Sequence, residues 1–173
     1  MKLNQIMAVA VVALGISSVA HANQGSGAVT FSGAIIDAPC SISPDSVDQT
    51  VELGQVANSA LKNGGKSIMK QFTINLENCS IEEDKSNVSV TFTGVEDENQ
   101  AGTLKINGSA SGASVAITDK AGVLLPLGKA SEAVAVAEGT NKLTFNAYLQ
   151  GTSASAVVPG DFTAVADFQM SYQ

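Results

Sequence analysis

The chain contains no tryptophan and no arginine, and its one histidine, His21, lies close to the start. Histidine carries most general acid–base chemistry near neutral pH, so a chain this poor in it has few means to run such reactions. With only Tyr148 and Tyr172 to join six phenylalanines, a sugar-stacking cleft is poorly supplied, which weighs against a glycoside hydrolase. Positive charge is scarce as well: nine lysines face sixteen acidic residues, a net charge of −7, and such a surface repels nucleic-acid phosphates. The two cysteines, Cys40 and Cys79, fit neither a zinc spacing nor a Cys-x-x-Cys motif, so metal and dithiol redox roles lose support.

Long apolar runs are also missing, apart from one at the beginning. Lys2, the run Ile6 to Ile16 and the small-x-small step Ala20-His21-Ala22 together read as an export signal cleaved after residue 22. No second run approaches the roughly 20 apolar residues that a membrane span needs. Removing residues 1–22 from 173 leaves 151, which suits one domain. It also removes Lys2, so eight lysines face sixteen acids and the charge becomes −8. In an exported chain an even pair of cysteines favours a single disulfide, Cys40 to Cys79.

What is present in abundance is alternation with a period of two, in short runs bounded by Gly, Asn, Asp and Ser. It predicts strands at Val29, Phe31 and Ile35; at Val51 and Leu53; at Phe72, Ile74 and Leu76; and at Val88, Val90 and Phe92. Further strands are expected at Leu104–Ile106 and Val115–Ile117, then a turn at Asp119 to Gly122 with Val123 to Leu127 pairing back as an edge because of Pro126. Leu143, Phe145, Ala147 and Leu149 give a longer run, and Phe162, Ala164, Ala166, Phe168, Met170 and Tyr172 the longest, ending at the terminus. Only Val56 to Lys62 suggests a turn or two of helix, stopped by Gly64-Gly65. The expected fold is all-β, a sandwich of the immunoglobulin-like class.

No catalytic motif emerges. The run Gly108-Ser-Ala-Ser-Gly112 has Ala110 where a nucleophile elbow needs serine, so a turn is the better reading. Glu82 to Asp84 and Glu96 to Glu98 lack the alternating ligands of a calcium loop and read as solvated charge. No cofactor is expected.

The segment Gly27-Ala-Val-Thr-Phe-Ser-Gly-Ala-Ile-Ile-Asp-Ala-Pro-Cys40, the step Val51-Glu-Leu-Gly54, the second cysteine in Leu76-Glu-Asn-Cys79, and the endings Pro159-Gly-Asp-Phe162 and Met170-Ser-Tyr-Gln173 together resemble the major pilins of chaperone–usher fimbriae. The likeness is strongest to P-pilus and mannose-resistant rod subunits, and it covers essentially the whole mature chain. It implies an immunoglobulin-like sandwich lacking its final strand, with residues 23–36 as a donor extension and 37–173 as the incomplete domain. It further implies a structural subunit of a surface fimbria that supports cell adhesion. Such a subunit is escorted through the periplasm by a pilus chaperone to an outer-membrane usher and polymerises with its own copies and other fimbrial subunits.

By the same resemblance Val29, Phe31, Gly33 and Ile35 form the donor strand, Gly33 leaving one pocket sterically undemanding. Gly160, Phe162, Ala164, Ala166, Phe168, Met170, Tyr172 and Gln173 form the groove and the chaperone-binding strand. The alternation itself is neutral: a period of two cannot say which chain pairs with residues 28–36. Three rivals follow: a minor adaptor or terminator pilin, a sugar-binding adhesin, and a secreted β-sandwich hydrolase. An adhesin of this class carries an added lectin domain for which 151 residues leave no room, and a hydrolase lacks its histidine.

Overall fold

The computed structural model describes residues 27–153 and 156–173; the expected leader, residues 1–22 with its cleavage step Ala20-His21-Ala22, lies outside the described residues. Two units are distinguished, one ending at Ile35 and one spanning Ile36–Gln173. In the first, residues 27–35 carry no helix or strand, and Val29, Phe31 and Ile35 stand 77%, 90% and 105% exposed. The alternation there is therefore realised without a ladder among the described residues.

The second unit is built from strands β1 (Ser41–Ile42), β2 (Lys70–Cys79), β3 (Asn87–Gly94), β4 (Glu96–Asp97), β5 (Gln100–Lys105), β6 (Asn107–Gly108), β7 (Ala113–Asp119), β8 (Val134–Ala135), β9 (Gly139–Gly151), β10 (Phe162–Thr163) and β11 (Ala166–Tyr172). One sheet runs β1-β2-β9-β7-β5-β4, a second runs β11-β3-β8, and β10 pairs with β6 as a two-stranded ribbon. All named pairs are antiparallel.

The period-two residues explain why the sheets stack. Ile74 and Leu76 of β2, Leu143, Phe145, Ala147 and Leu149 of β9, and Val115 and Ile117 of β7 share one core with Val88, Val90 and Phe92 of β3. Phe92 lies edge-on to Phe145 at 5.1 Å and to Phe72 at 6.1 Å, so one ring of the small sheet touches two of the large one. Burying each such side chain contributes roughly 1.5–3 kcal/mol, which is the main reason the two sheets hold together as a sandwich. Cys40 and Cys79 are bridged, as their number and the export signal predict, and the bridge ties the approach to β1 onto the end of β2.

The turn after β7 follows its residues closely. Gly122, at φ +87°, donates to the Asp119 carbonyl at 3.1 Å, and the Asp119 carboxylate accepts from the Val123 N–H at 2.8 Å. The return segment is shorter than expected, a single bridge between Thr118 and Leu124. Pro126 has no N–H to continue it, and Leu127 donates instead to Gly102.

Three expectations need correction. Val51 and Leu53 form no strand: no segment pairs with them among the described residues, Gly54 turns the chain at φ +75°, and Leu53 merely rests half-buried on the core. The predicted helical turns settle as a 3₁₀ segment, Asn58–Gly64, with Lys62 and Asn63 outside helical geometry. The run from Phe162 to Tyr172 is two strands, interrupted at Ala164 and Val165, because β10 pairs with β6 whereas β11 pairs with β3. The changeover brings the Val165 carbonyl 2.7 Å from where a Cβ on Gly94 would stand, so a side chain at that position would block it.

Candidate functional site

The last strand carries the unusual feature. In register, Ala166 faces Gly94, Phe168 faces Phe92, Met170 faces Val90 and Tyr172 faces Val88. Ala166, Phe168, Met170 and Tyr172 point at the core, yet all are only half-buried, while Asp167, Gln169 and Ser171 between them are exposed. Phe92 on the neighbouring strand, by contrast, is 3% exposed. The core is thus sealed beneath β3 and open beneath β11.

The backbone of β11 is equally incomplete. β11 is an edge strand, with β3 on one side and no strand on the other among the described residues. Just beyond its end, Gln173 and Asn87 exchange both of their backbone hydrogen bonds, each 2.9 Å. Antiparallel ladders alternate, so Ala166, Phe168, Met170 and Tyr172 occupy the non-hydrogen-bonded positions and aim their N–H and C=O groups away from β3. The residues whose side chains are under-buried are therefore the ones whose backbone groups lack a strand partner. Such an edge invites another strand.

Opposite β11 lies β1, the edge of the large sheet. Between the two edges runs an open depression of about 520 Å³, walled by Phe168 to Tyr172 on one side, by Ile36 to Pro39 and Ile42 on the other, with Lys85 at one end. The Phe168 ring lies 6.5 Å from Phe92, which continues to Phe145, so the β11 wall of the depression rests on the core. Lys85 is 3.5 Å from Glu82 and 3.9 Å from Asp37. Burial pushes the Tyr172 hydroxyl above its ordinary pKa.

Of the residues named from sequence, Phe168, Met170 and Tyr172 line this depression. Ala164 and Ala166 pack half-buried against the core, and Gln173 closes the ladder to Asn87. Gly160 and Phe162 stand elsewhere. Asp161, between them, is held by the Ser109 hydroxyl and by the Ser109 and Ala110 N–H groups, and Phe162 pairs with Gly108. Val29, Phe31, Gly33 and Ile35 belong to the first unit. The wall formed by Ile36 to Pro39, Ile42 and Lys85 was not anticipated; the Cys40–Cys79 bridge, which lays this segment beside β2, is the signal that could have found it. No cluster of three or more His, Cys, Asp or Glu side chains able to hold a metal occurs among the described residues.

Comparison with known proteins gives a consistent picture. Residues 29–173 match the family model described as fimbrial protein. The chain is 57% identical to the fimbria A protein of Serratia marcescens and 51% identical to the major MR/P fimbria protein of Proteus mirabilis, in each case over all of both chains. Among solved structures it superposes on a subunit of a chaperone–usher pilus rod with a TM-score of 0.77 and 34% identity, covering 87% of this chain and 97% of that one. It also matches the P pilus rod subunit PapA, with a TM-score of 0.71 and 32% identity, covering 79% of this chain and all of the other.

Proposed function

The chain belongs to the fimbrial protein family and is a structural subunit of a fimbria, and we propose that it polymerises by laying its N-terminal segment in the open groove of a neighbouring copy. One observation carries this reading: the alternate residues of β11 are short of a strand partner in both backbone and side chain. A strand seated beside β11 answers both deficits at once, the outward N–H and C=O groups through a ladder and the half-buried Phe168, Met170 and Tyr172 through apolar contacts.

The segment that fits is the one this chain leaves unpaired. Val29, Phe31 and Ile35 are apolar, strongly exposed and spaced by twos, with Gly33 in the same series, so they meet one face of a groove at successive positions. Residues 23–36 then act as donor extension and 37–173 as acceptor domain, and the domain is an immunoglobulin-like sandwich completed only in the polymer.

The same edge is a hazard before assembly, since an apolar unpaired strand aggregates. A periplasmic chaperone that covers β11 with a strand of its own, and an outer-membrane usher that exchanges this strand for the next subunit's, complete the pathway, which ends in a fimbrium on the cell surface. The role is one of construction and adhesion, and no catalysis is assigned to it.

The test is deletion of residues 23–35 with the signal retained. The shortened subunit is expected to accumulate bound to chaperone and to be unable to extend fibres, whereas full-length fibres from it would refute strand donation.

A further inference from the structure

Of the four methionines, Met1 and Met7 fall within the expected leader, which leaves Met69 and Met170 in the mature chain. They stand in different surroundings. Met69 is 44% exposed just before β2 and takes no part in lining the depression. Met170 is half-buried in β11, in the wall of the depression, two residues from Phe168 on one side and from Tyr172 on the other. Val90, its partner across the ladder, is 2% exposed, so the depression is the side from which solvent reaches Met170.

Its sulfur also has a hydrogen-bond donor beside it. The Tyr172 hydroxyl donates to the Met170 sulfur at 3.9 Å. A thioether is a weak acceptor, whereas the oxygen of a sulfoxide is a strong one. An oxygen added to this sulfur would therefore gain a donor already in place, and with the core closed behind Val90 it would project into the depression.

We propose that Met170 is a modification site, at which hydrogen peroxide converts the thioether of an uncovered subunit to the sulfoxide and thereby blocks the groove against strand donation. This rests on the polymer reading above. Sulfur loses two electrons and the peroxide is reduced: an S–O bond forms as the O–O bond breaks, and the departing hydroxide takes the proton of the transferred oxygen and leaves as water. The product is polar and chiral where the thioether was apolar and pliant. Val29, Phe31 and Ile35, the apolar side chains of the incoming segment, carry no donor to satisfy the new oxygen, and burying it beneath them is unfavourable. Once a strand is seated, the same residue is covered, so the modification acts on subunits before assembly and spares those already in a fibre. Sulfoxide reductases reverse it, which makes it a switch rather than a lesion.

The experiment treats the mature subunit, freshly released from chaperone and dilute, with hydrogen peroxide, removes the oxidant with catalase, and then allows assembly. Peptide mass analysis reads the sulfoxide at Met69 and Met170 separately, and electron microscopy reads fibre yield. Both methionines are expected to be oxidised in the free subunit, with a severalfold loss of fibre yield that methionine sulfoxide reductases A and B restore. Met170→Leu should assemble normally after the same treatment, whereas Met69→Leu should remain sensitive. The reductase arm needs no variant, so a Met170→Leu chain that does not fold leaves the test standing. Subunits oxidised at Met170 that assemble as well as untreated ones, or a Met170 that stays reduced while Met69 reacts, overturn this proposal alone. Preformed wild-type fibres should keep Met170 reduced under the same treatment. Oxidation there as fast as in free subunits, or untreated subunits that make no fibres, overturns the polymer reading and this one with it.

Discussion

Seating the donor segment in the groove gives a quantity that can be measured with a peptide. Phe31 is 90% exposed where it stands, so docking removes nearly its whole ring from water, worth roughly 2–3 kcal/mol. Val29 and Ile35 add roughly 1.5–3 kcal/mol each, and the ladder along β11 adds its own hydrogen bonds. Against this stands the ordering of about eight residues at roughly 1–2 kcal/mol apiece. The terms are comparable, so the loss of a single anchor is visible. A domain lacking residues 1–35, released from chaperone, should melt at a temperature that rises with the concentration of a peptide of residues 27–36. At a hundredfold excess over Kd the gain is about 2.7 kcal/mol. A peptide with Phe31→Ala should bind about 30-fold more weakly, since about 2 kcal/mol is lost, whereas Thr30→Ala, on the opposite face of the strand, should change binding little. Equal shifts from the two altered peptides would show that the side-chain face is not read, and the groove argument would fail.

Three further outcomes are expected. Replacing both Cys40 and Cys79 by serine opens a loop with a separation of 39 residues and should cost about 3.5–4 kcal/mol, seen as a fall of about 10–15 °C in the melting temperature of the strand-completed domain; an unchanged melt would contradict the assignment. Gly33→Asn should leave the domain's own stability unchanged, because no atom lies within 4 Å of a Cβ at that position, yet shorten fibres, and normal fibre lengths would count against Gly33 as a donor residue. Tyr172, whose pKa burial raises above 10.0, contributes stability that is present below its unfolded pKa and is lost as pH climbs through the higher folded value. Wild-type stability should therefore fall more steeply above pH 10 than that of Tyr172→Phe, and denaturant titrations with parallel slopes in that range would refute the burial argument.

The strands β2, β3 and β9 were legible because each has one face sealed by the opposite sheet: Ile74, Leu76, Val90, Phe92, Leu143 and Phe145 are all buried, and the pleat writes that face into every second residue. The same rule misled at both ends of the last run. Phe162 and Phe168 keep the period across Ala164 and Val165, so alternation reports one strand where a change of partner from β6 to β3 makes two. Partner choice is a tertiary fact to which a period of two is blind. The near wall of the groove was hidden for a related reason, since Ile36 to Pro39 has no periodicity and is placed by the bridge at Cys40.

That blindness has a particular consequence at the site. Residues 29–35 and 166–172 carry the same apolar alternation, yet the first forms no strand and the second is only half covered. In a self-sufficient sandwich such a pair would be contradictory, because two apolar strand faces left open cost more than joining them. The contradiction disappears if each is one half of a contact whose other half lies on another molecule: the exposed plug of one subunit and the unsealed groove of the next are complementary deficits. A head-to-tail pairing of unlike surfaces builds an open filament wherever its rotation does not close a ring, and every subunit added then presents a fresh donor or acceptor. On the proposed reading, the incompleteness of β11 is the physical basis of growth. On that reading the same chemistry gives the fibre its direction, since the proposed donor and acceptor are different segments of each subunit.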